Sequence, residues 1–463
     1  MLPKKICEDV KIFNRKHHFP QILAILIAAL CSLSDGILMS WTSPFILKIS
    51  EDKTNYDITE NQASMLTTIS PVCLMITSLL FSNSCDFFGR KKILMSIALP
   101  QLLALALTAA SNSIWTLCLS RVCAGIAEGF VLTVLPMYIA EISEPEVRGT
   151  WGNVATIFVL LGSLLINLAG SYCSVKTAAY IFMPVPVIFF ALMFLLPDSP
   201  YFYIKVSEQK KARESLCWLR GVEEVDHILQ QMKNELDQQV AEAGSWCDLL
   251  RLPNNRRALT AGLFLRFSQQ FGGSATIVVY VKYIFEKFEI DLGAEVPTLI
   301  FSCLSIVLVT VSASVVERVG RRKTYMFSLL TSGLVLLMIA AYLIVKETIV
   351  SVDLSSLEWF PAALLILYLI CTSFGISNVP TLMTGEIFSS SIKAKGISVL
   401  ALSYGFSVFL TSIIFHFLNS EVGLFCPFLF FAIVNLVSFF LSSQIVPETK
   451  GKTLEQIQDD LRS

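Results

Sequence analysis

The sequence predicts an all-α membrane protein with twelve transmembrane helices in two pseudo-symmetric six-helix halves, joined by a cytoplasmic helical linker. The 463-residue chain is 54% hydrophobic and 15% charged, whereas a soluble domain is roughly 45–50% apolar and about 25% charged. Its apolar runs are about twenty residues long, the length of helix that crosses hydrocarbon. They lack strand-like alternation, and lipid-exposed backbone must satisfy its own hydrogen bonds, so the runs indicate helices.

The division into halves follows from three charged motifs that occur twice, roughly 230–250 residues apart. The motifs pair as Asp86–Lys92 with Glu317–Lys323, Glu141 and Arg148 with Glu386 and Lys393, and Pro197–Ser199 with Pro447–Thr449. Because three separate motifs agree on one duplication, the chain is predicted to hold two halves built in parallel.

Each half is predicted from six apolar runs. The first six spans lie near 20–47, 61–82, 91–110, 114–140, 149–171 and 176–196, and the second six near 257–286, 294–316, 323–345, 359–387, 394–418 and 424–446. The predicted divisions are an N-terminus at 1–19, a first half at 20–200, a linker at 201–256, a second half at 257–446 and a tail at 447–463. Within the linker, Glu208–Gln239 has apolar residues at helical spacing, which predicts one or more amphipathic helices.

The distribution of basic residues predicts the orientation in the membrane. Lys and Arg precede the first span and follow the second and the eighth, while the loop Glu51–Glu60 is acidic. Short loops rich in Lys and Arg stay in the cytoplasm. Both termini are therefore expected in the cytoplasm, for a multi-pass protein of the plasma membrane.

Other classes of protein are not supported by the sequence. The net charge of −1 gives no sign of a nucleic-acid partner, and the twelve Cys and four His show no metal-site spacing. No nucleophile–base arrangement of an enzyme is recognisable. We expect no cofactor and no catalytic residue, a lipid bilayer as surroundings, and function as a monomer.

Six motifs in order resemble those of one family. They are Trp41–Pro44, Pro136–Glu141 with Arg148 and Gly149, Pro197–Pro200, Ser268–Gln270, Glu317–Arg322 and Pro447–Glu455. Over essentially the whole chain the sequence resembles the sugar-transporter family of the major facilitator superfamily, and within it the insect facilitated trehalose transporters. The resemblance implies facilitative transport of a hexose or a trehalose-like disaccharide by alternating access.

The resemblance also implies a charged cytoplasmic latch, whose residues form interlocking pairs that close the cytoplasmic side and break when the halves tilt the other way. Its residues are Asp86, Gly89, Arg90, Glu141, Arg148, Glu317, Arg321, Arg322, Glu386 and Lys393. Glycine permits a tight turn between spans, and arginine binds carboxylates through charge-assisted hydrogen bonds. The alternative is that the basic residues only set the topology. Phe87 and Lys393 depart from the family pattern, which predicts a weaker latch.

The expected sugar pocket keeps only part of the family pattern. Gln269 and Gln270 match it, and amides can both donate to and accept from sugar hydroxyls. Departures stand at five positions that we also place in the pocket: Thr156, Arg266, Ser305, Thr381 and Tyr404. Arg266 either supplies donors, selects an anionic or larger substrate, or pairs with Glu128.

Asp35, Arg121 and Glu128 are charges expected inside spans, where ionisable residues are costly. Counting along the helices places Asp35 and Arg121 near mid-depth, so a pair between them is possible. The roles left open for Asp35 are a static ion pair, proton coupling and a substrate contact. Two further functions are thus possible, a proton-coupled sugar symporter and a transporter-like nutrient sensor with little flux.

Overall fold

The computed structural model describes residues 4–53, 56, 58–81, 85–241, 245–288, 293–348, 357–389, 391–452, 456, 457 and 460. Over these residues the chain is helical and contains no strand, so the predicted all-α class is confirmed. The helices follow the predicted spans in order along the chain.

Ten helices make up the first half. They are α1 (Lys4–Ser40), α2 (Thr42–Glu51), α3 (Glu60–Phe81), α4 (Cys85–Phe88), α5 (Arg90–Ala109), α6 (Ile114–Ile142), α7 (Pro145–Trp151), α8 (Val154–Tyr172), α9 (Val175–Phe182) and α10 (Pro184–Met193). Short breaks divide the first, fifth and sixth predicted spans into two helices each.

Four helices connect the halves, and nine make up the second half. The connecting helices are α11 (Pro200–Lys205), α12 (Gln209–Arg220), α13 (Asp226–Ala241) and α14 (Trp246–Arg251). The second half consists of α15 (Pro253–Phe271), α16 (Ser274–Val279), α17 (Val281–Lys287), α18 (Glu295–Val319), α19 (Arg321–Thr348), α20 (Phe360–Phe374), α21 (Val379–Glu386), α22 (Lys393–Glu421) and α23 (Phe425–Ile445).

Ten helical stretches of the described residues are long and apolar enough to cross a membrane. Of the twelve predicted spans, the second has a shorter apolar stretch, Met65–Ser78. The seventh is broken into α15, α16 and α17 around Gly272, Gly273 and Tyr280. Gly273 has φ +90, a conformation that glycine adopts without the steric cost of a Cβ atom. The seventh span is therefore not one continuous helix.

The linker helices pack on the first half. Leu216, Val225 and Met232 are buried in a cluster of their own, while Leu219 joins the core of the first half. The Arg220 Nε lies 3.3 Å from a carboxylate oxygen of Glu144. The predicted amphipathic helices are thus present, and their apolar faces are covered by each other and by the bundle.

Small residues bring helices of the first half close together. A Cβ atom on Gly36 of α1 would lie 2.0 Å from the carbonyl oxygen of Val159 in α8. A Cβ atom on Gly125 of α6 would lie 2.3 Å from the Ser70 carbonyl of α3. Since lipid competes for apolar surface, close backbone packing of this kind holds membrane helices together.

The two halves meet along α3 with α22 and along α8 with α18. We call the end that carries Gly89 and Gly320 the latch end, and the end that carries α2 and α17 the joined end. At the joined end one buried hydrophobic cluster contains residues of both halves, including Trp41 and Phe415. At the latch end each half has its own cluster. The apolar core thus joins the halves at one end only.

Candidate functional site: latches, central cluster and joined end

In the first half, the latch is built around the start of α5. Gly89, at φ 88, precedes Arg90, and the Asp198 carboxylate accepts from the backbone N–H of Lys91 at 3.1 Å and of Ser199 at 2.8 Å. A carboxylate at a helix N-terminus is favoured by the helix dipole. Burial nevertheless raises the pKa of Asp198, and the two backbone N–H groups offset part of that rise.

The second half repeats this arrangement at the start of α19. Gly320 has φ +107, and the Glu448 carboxylate accepts from the backbone N–H of Arg321 at 3.0 Å and of Arg322 at 3.2 Å. A Cβ atom on Gly320 would lie 2.9 Å from a Glu448 oxygen. The duplicated sequence therefore produces a duplicated helix cap.

Each half also contains one partly buried ion pair of the predicted latch. The Arg90 Nη2 lies 2.9 Å from Glu141 Oε1, and the Arg321 Nη2 lies 3.0 Å from Glu386 Oε1. The Thr449 hydroxyl donates to the other Glu386 oxygen at 2.6 Å. Both pairs join helices of a single half, so each stabilises its own half rather than bridging the two.

The remaining predicted latch residues do not form such pairs. Arg148 is exposed. Burial lowers the pKa of the Lys393 ammonium, and repulsion from the positive charge of Arg148 lowers it further. Glu317 is exposed, and no ion pair to it occurs among the described residues. Arg322 donates to the Ser443 carbonyl. The side chain of Asp86 lies outside the described part of the chain. Among the described side chains, the structure therefore does not bring Arg148, Glu317 and Arg322 into the predicted interlocking pairs.

Asp198 and Glu448 are functional candidates that the sequence analysis missed as individual residues. The signal for them was present, because Pro197–Ser199 and Pro447–Thr449 are one of the repeated motifs. Both copies have an acid at the same place in this motif, and both have a glycine followed by basic residues in the motif before it. This combination is typical of a capped helix N-terminus.

The centre of the molecule holds a group of ionisable residues from both halves. Asp35 of α1 and Glu128 of α6 face each other closely enough to interact electrostatically. Tyr404 of α22 interacts with both carboxyls and with Arg266 of α15. Three of the predicted interior and pocket charges therefore lie around one tyrosine. We call these four residues the central cluster: Asp35, Glu128, Arg266 and Tyr404.

Arg121 lies beside the central cluster and interacts electrostatically with Glu128. Its Nη1 donates to the Leu38 carbonyl at 2.9 Å and its Nη2 to the Ser120 hydroxyl at 3.1 Å. The guanidinium carbon stands 4.3 Å above the centre of the Trp41 ring, a favourable cation–π position. No carboxylate of the described residues is within ion-pair distance of Arg121, so the structure does not form the possible pair with Asp35.

The predicted pocket residues of the second half meet at Arg266. Its Nη1 lies 3.3 Å from Gln269 Oε1 and 3.3 Å from the Thr381 hydroxyl, and its guanidinium carbon lies 5.6 Å from the centre of the Tyr404 ring. The Gln269 amide also donates to the Ile376 carbonyl at 2.9 Å. Arg266, Gln269, Thr381 and Tyr404 are thus one contiguous polar group.

The other three predicted pocket residues are placed differently. Gln270 is 2% exposed, and its side-chain oxygen has no hydrogen-bond partner among the described residues. Ser305 donates to the Phe301 carbonyl of its own helix at 2.8 Å, and Thr156 is exposed on α8. No hydrogen bond in the described part of the chain connects Thr156 or Ser305 with Arg266.

Polar contacts close the joined end between the halves. The hydroxyls of Thr67 and Tyr280 lie 2.8 Å apart, and the backbone N–H of Lys282 donates to the Ser43 hydroxyl at 3.2 Å. The Lys282 ammonium is 2% exposed and lies 3.6 Å from a carboxylate oxygen of Glu295. The first two contacts join α17 and the turn before it to α2 and α3 at the end opposite the latches.

Two helical halves joined at one end around a charged centre define the class of multi-pass membrane carriers. The chain belongs to the Sugar (and other) transporter family, whose model matches residues 23–461. This is a family of transporters and not of enzymes, so the expectation that the chain is not an enzyme is confirmed. The predicted resemblance is likewise confirmed.

Two insect relatives are similar over nearly the whole chain. The facilitated trehalose transporter Tret1 of Apis mellifera ligustica is 30% identical over 444 residues, which cover 95% of this chain and 87% of the bee protein. Trehalose transporter 1 of Drosophila melanogaster is 29% identical over 449 residues, covering 96% of this chain and 52% of the fly protein. The chain thus spans about half the length of the fly relative.

Solved structures share the fold. The inward-open xylose transporter XylE from E. coli superimposes with a TM-score of 0.77 at 17% identity, over 94% of this chain and 98% of that chain. The proton:xylose symporter XylE bound to 6-bromo-6-deoxy-D-glucose gives 0.73 at 17% identity, over 97% of this chain and 100% of that chain. The chain therefore has the fold of the major facilitator superfamily.

Proposed function

We propose that this protein carries a sugar, a hexose or a trehalose-like disaccharide, across the plasma membrane by alternating access. One observation carries the proposal: the two halves share an apolar core at the joined end and have separate cores at the latch end. A polar group with hydrogen-bonding side chains lies between them at mid-depth. A cargo bound there would be reached from the latch end in the present arrangement. The insect relatives, named as trehalose transporters, support a sugar as that cargo.

The latch end is proposed to face the cytoplasm, together with both chain termini. Paired basic residues follow Gly89 and Gly320 at this end, at Arg90–Lys92 and Arg321–Lys323. Basic residues in short loops are retained in the cytoplasm. We further propose that the monomer is the working unit and that the divisions are 20–200, 201–256 and 257–446.

In this proposal each latch pair holds the helices of its own half together, so that the half moves as a rigid body. Arg90 with Glu141 and Arg321 with Glu386 remain paired while the cores at the latch end are separate. The pairs therefore need not break when the halves tilt. Their place is to keep the cytoplasmic end of each half intact through the cycle, so that the movement is confined to the surface between the halves.

An uptake screen tests this function. The chain is expressed in cells that lack their own sugar transport, and tracer uptake is measured for glucose, xylose and trehalose. We expect saturable uptake of at least one sugar above that of cells with an empty vector. Protein present at the cell surface without uptake of any of these sugars or of sugar acids would contradict the proposal.

Proton-coupled symport is a second candidate, favoured by the electrostatic interaction between Asp35 of α1 and Glu128 of α6. Two facing carboxyls in a membrane span resist ionising together, because like charges repel strongly where little water is present. Asp35 is 3% exposed. A symporter is expected to accumulate sugar in vesicles with an imposed proton gradient, and Asp35→Asn should abolish accumulation but retain exchange. Equal sugar concentrations inside and outside the vesicles, with or without the gradient, would exclude proton coupling and support the facilitative carrier.

A further inference from the structure

We propose that the cargo bears a carboxylate on a hydroxylated body, as a sugar acid does, and that Arg266 binds this carboxylate. The inference rests on the proposed transport of a sugar and narrows its chemical class. Arg266 brings a permanent positive charge to the centre of a membrane bundle, where an unneutralised charge is costly.

The side chains around Arg266 are all neutral. The guanidinium donates to Gln269 at 3.3 Å, to Thr381 at 3.3 Å and to Thr384 at 3.4 Å. These distances are at the long end for hydrogen bonds, so the bonds hold the side chain in place only weakly. No carboxylate of the described residues is within 4 Å of it. The charge of Arg266 is therefore left without a close partner of opposite sign.

The acids nearest to the centre do not take that role. Asp35 and Glu128 belong to the first half, face each other and face Tyr404. Tyr404 interacts electrostatically with both acids and with Arg266, and its ring centre lies 5.6 Å from the Arg266 guanidinium carbon. A free carboxylate that entered between the halves would meet the guanidinium from the second half and the Tyr404 hydroxyl beside it.

Comparison with Arg121 shows how this chain neutralises an arginine that is part of the framework. Arg121 is 1% exposed, bonds the Leu38 carbonyl at 2.9 Å and lies 4.3 Å over the Trp41 ring. Arg266 is only partly buried, has longer bonds and lies farther from its ring. Arg121 is thus enclosed by the protein, whereas Arg266 remains accessible to a ligand.

The geometry of the two groups favours a carboxylate. A guanidinium presents paired N–H donors that match the two oxygens of a carboxylate in a bidentate contact. The neighbouring Gln269, Thr381 and Tyr404 can then bind hydroxyls of the same molecule. Neutral sugars use only these hydroxyl contacts and leave the guanidinium without its best acceptor. Selectivity for the acid follows, because a bound neutral sugar would shield the guanidinium from water without pairing its charge, which is costly.

Tracer uptake of glucuronate, its neutral methyl ester, glucose and trehalose tests the inference at pH 7. We expect glucuronate to have a KM at least tenfold lower than its ester. In Arg266→Gln the ratio of kcat/KM for glucuronate to that for glucose should fall at least tenfold. Arg266→Lys keeps the charge but not the paired donors, so it should retain part of the preference for the acid.

If a variant fails to transport, binding is measured instead, as the rise in melting temperature of purified protein when the same ligands are added. Glucuronate should raise the melting temperature of the wild type more than its ester does, and Arg266→Gln should lose this difference. Uptake of glucose or trehalose with no preference for glucuronate, unchanged in Arg266→Gln, would overturn the inference and leave the proposed sugar transport intact. Absence of uptake for neutral and acidic sugars alike would instead refute the proposed function.

Discussion

Single arginines in this protein differ mainly in what balances their charge. Arg90 and Arg321 each have a glutamate at ion-pair distance. Arg121 has a carbonyl, an indole ring and an electrostatic interaction with Glu128, whereas the hydrogen-bond partners of Arg266 are neutral. The sequence predicted that these residues are unusual but could not assign their partners. The possible pair of Asp35 with Arg121 shows why. Depth can be counted at 1.5 Å per residue, but each residue also turns the side chain by about 100° around the helix. Arg121 also bonds a backbone group, the Leu38 carbonyl, which side-chain positions along the helices do not predict.

Loss of one latch partner is expected to cost stability. Arg90→Ala leaves Glu141 as a largely buried, unpaired carboxylate, since the two side chains are 8% and 14% exposed. We expect a loss of about 3 kcal/mol, typical of breaking a buried pair from one side. The melting temperature of purified protein measures the effect.

The double variant Arg90→Ala/Glu141→Ala is the matched control for that prediction. It removes the orphaned carboxylate as well, so it should recover part of the lost stability. A double variant that is less stable than Arg90→Ala by the full cost of a second independent loss would contradict the assigned pairing.

Among the helices, the seventh span departs most from the sequence prediction. One span was expected near 257–286, whereas the chain forms α15, α16 and α17. The adjacent Gly272 and Gly273 were a readable signal for the break. The role of the break was not readable, because it depends on contacts with the first half. It places Tyr280 and Lys282 against Thr67 and Ser43.

The helix caps give a prediction at this scale. Gly89→Ala should destabilise the protein by about 1–3 kcal/mol, because φ 88 with ψ 155 is a region that essentially only glycine occupies. The added Cβ atom would also lie 2.4 Å from an Asp198 oxygen. Gly149→Ala is the control, since nothing lies within 4 Å of a Cβ atom there. Equal melting temperatures of the two variants would refute the role of Gly89.

For the molecule as a whole, composition and repeated motifs were sufficient to predict two six-span halves. They were not sufficient to predict which end of the bundle is closed, since that depends on the packing of residues far apart in sequence. The joined end depends on α2, α3 and the broken seventh span acting together. This is where the two halves must separate if the transport cycle is to proceed.

Weakening the joined end should therefore shift the balance between conformations. Tyr280→Phe removes the hydroxyl that lies 2.8 Å from Thr67 and keeps the ring. One hydrogen bond contributes about 1 kcal/mol, which corresponds to roughly a fivefold change in population. A cysteine at Ser43, which is 3% exposed, should then react several-fold faster with an impermeant thiol reagent. Tyr172→Phe, at a tyrosine that is 80% exposed, should leave the rate unchanged. The same rate in Tyr280→Phe would argue against this contact as part of the closure.

The central claim is that the joined end must open during each transport cycle. Ser43→Cys/Lys282→Cys tests it most directly. The Lys282 backbone N–H donates to the Ser43 hydroxyl at 3.2 Å, so the two residues are direct neighbours across the halves, and a disulfide between them would hold the joined end closed. The measurement is sugar uptake after oxidation and again after reduction, with the single variants controlling for the native cysteines. We predict that oxidation reduces uptake to background in the double variant alone and that reduction restores it. Full uptake with the disulfide formed would contradict alternating access through this end.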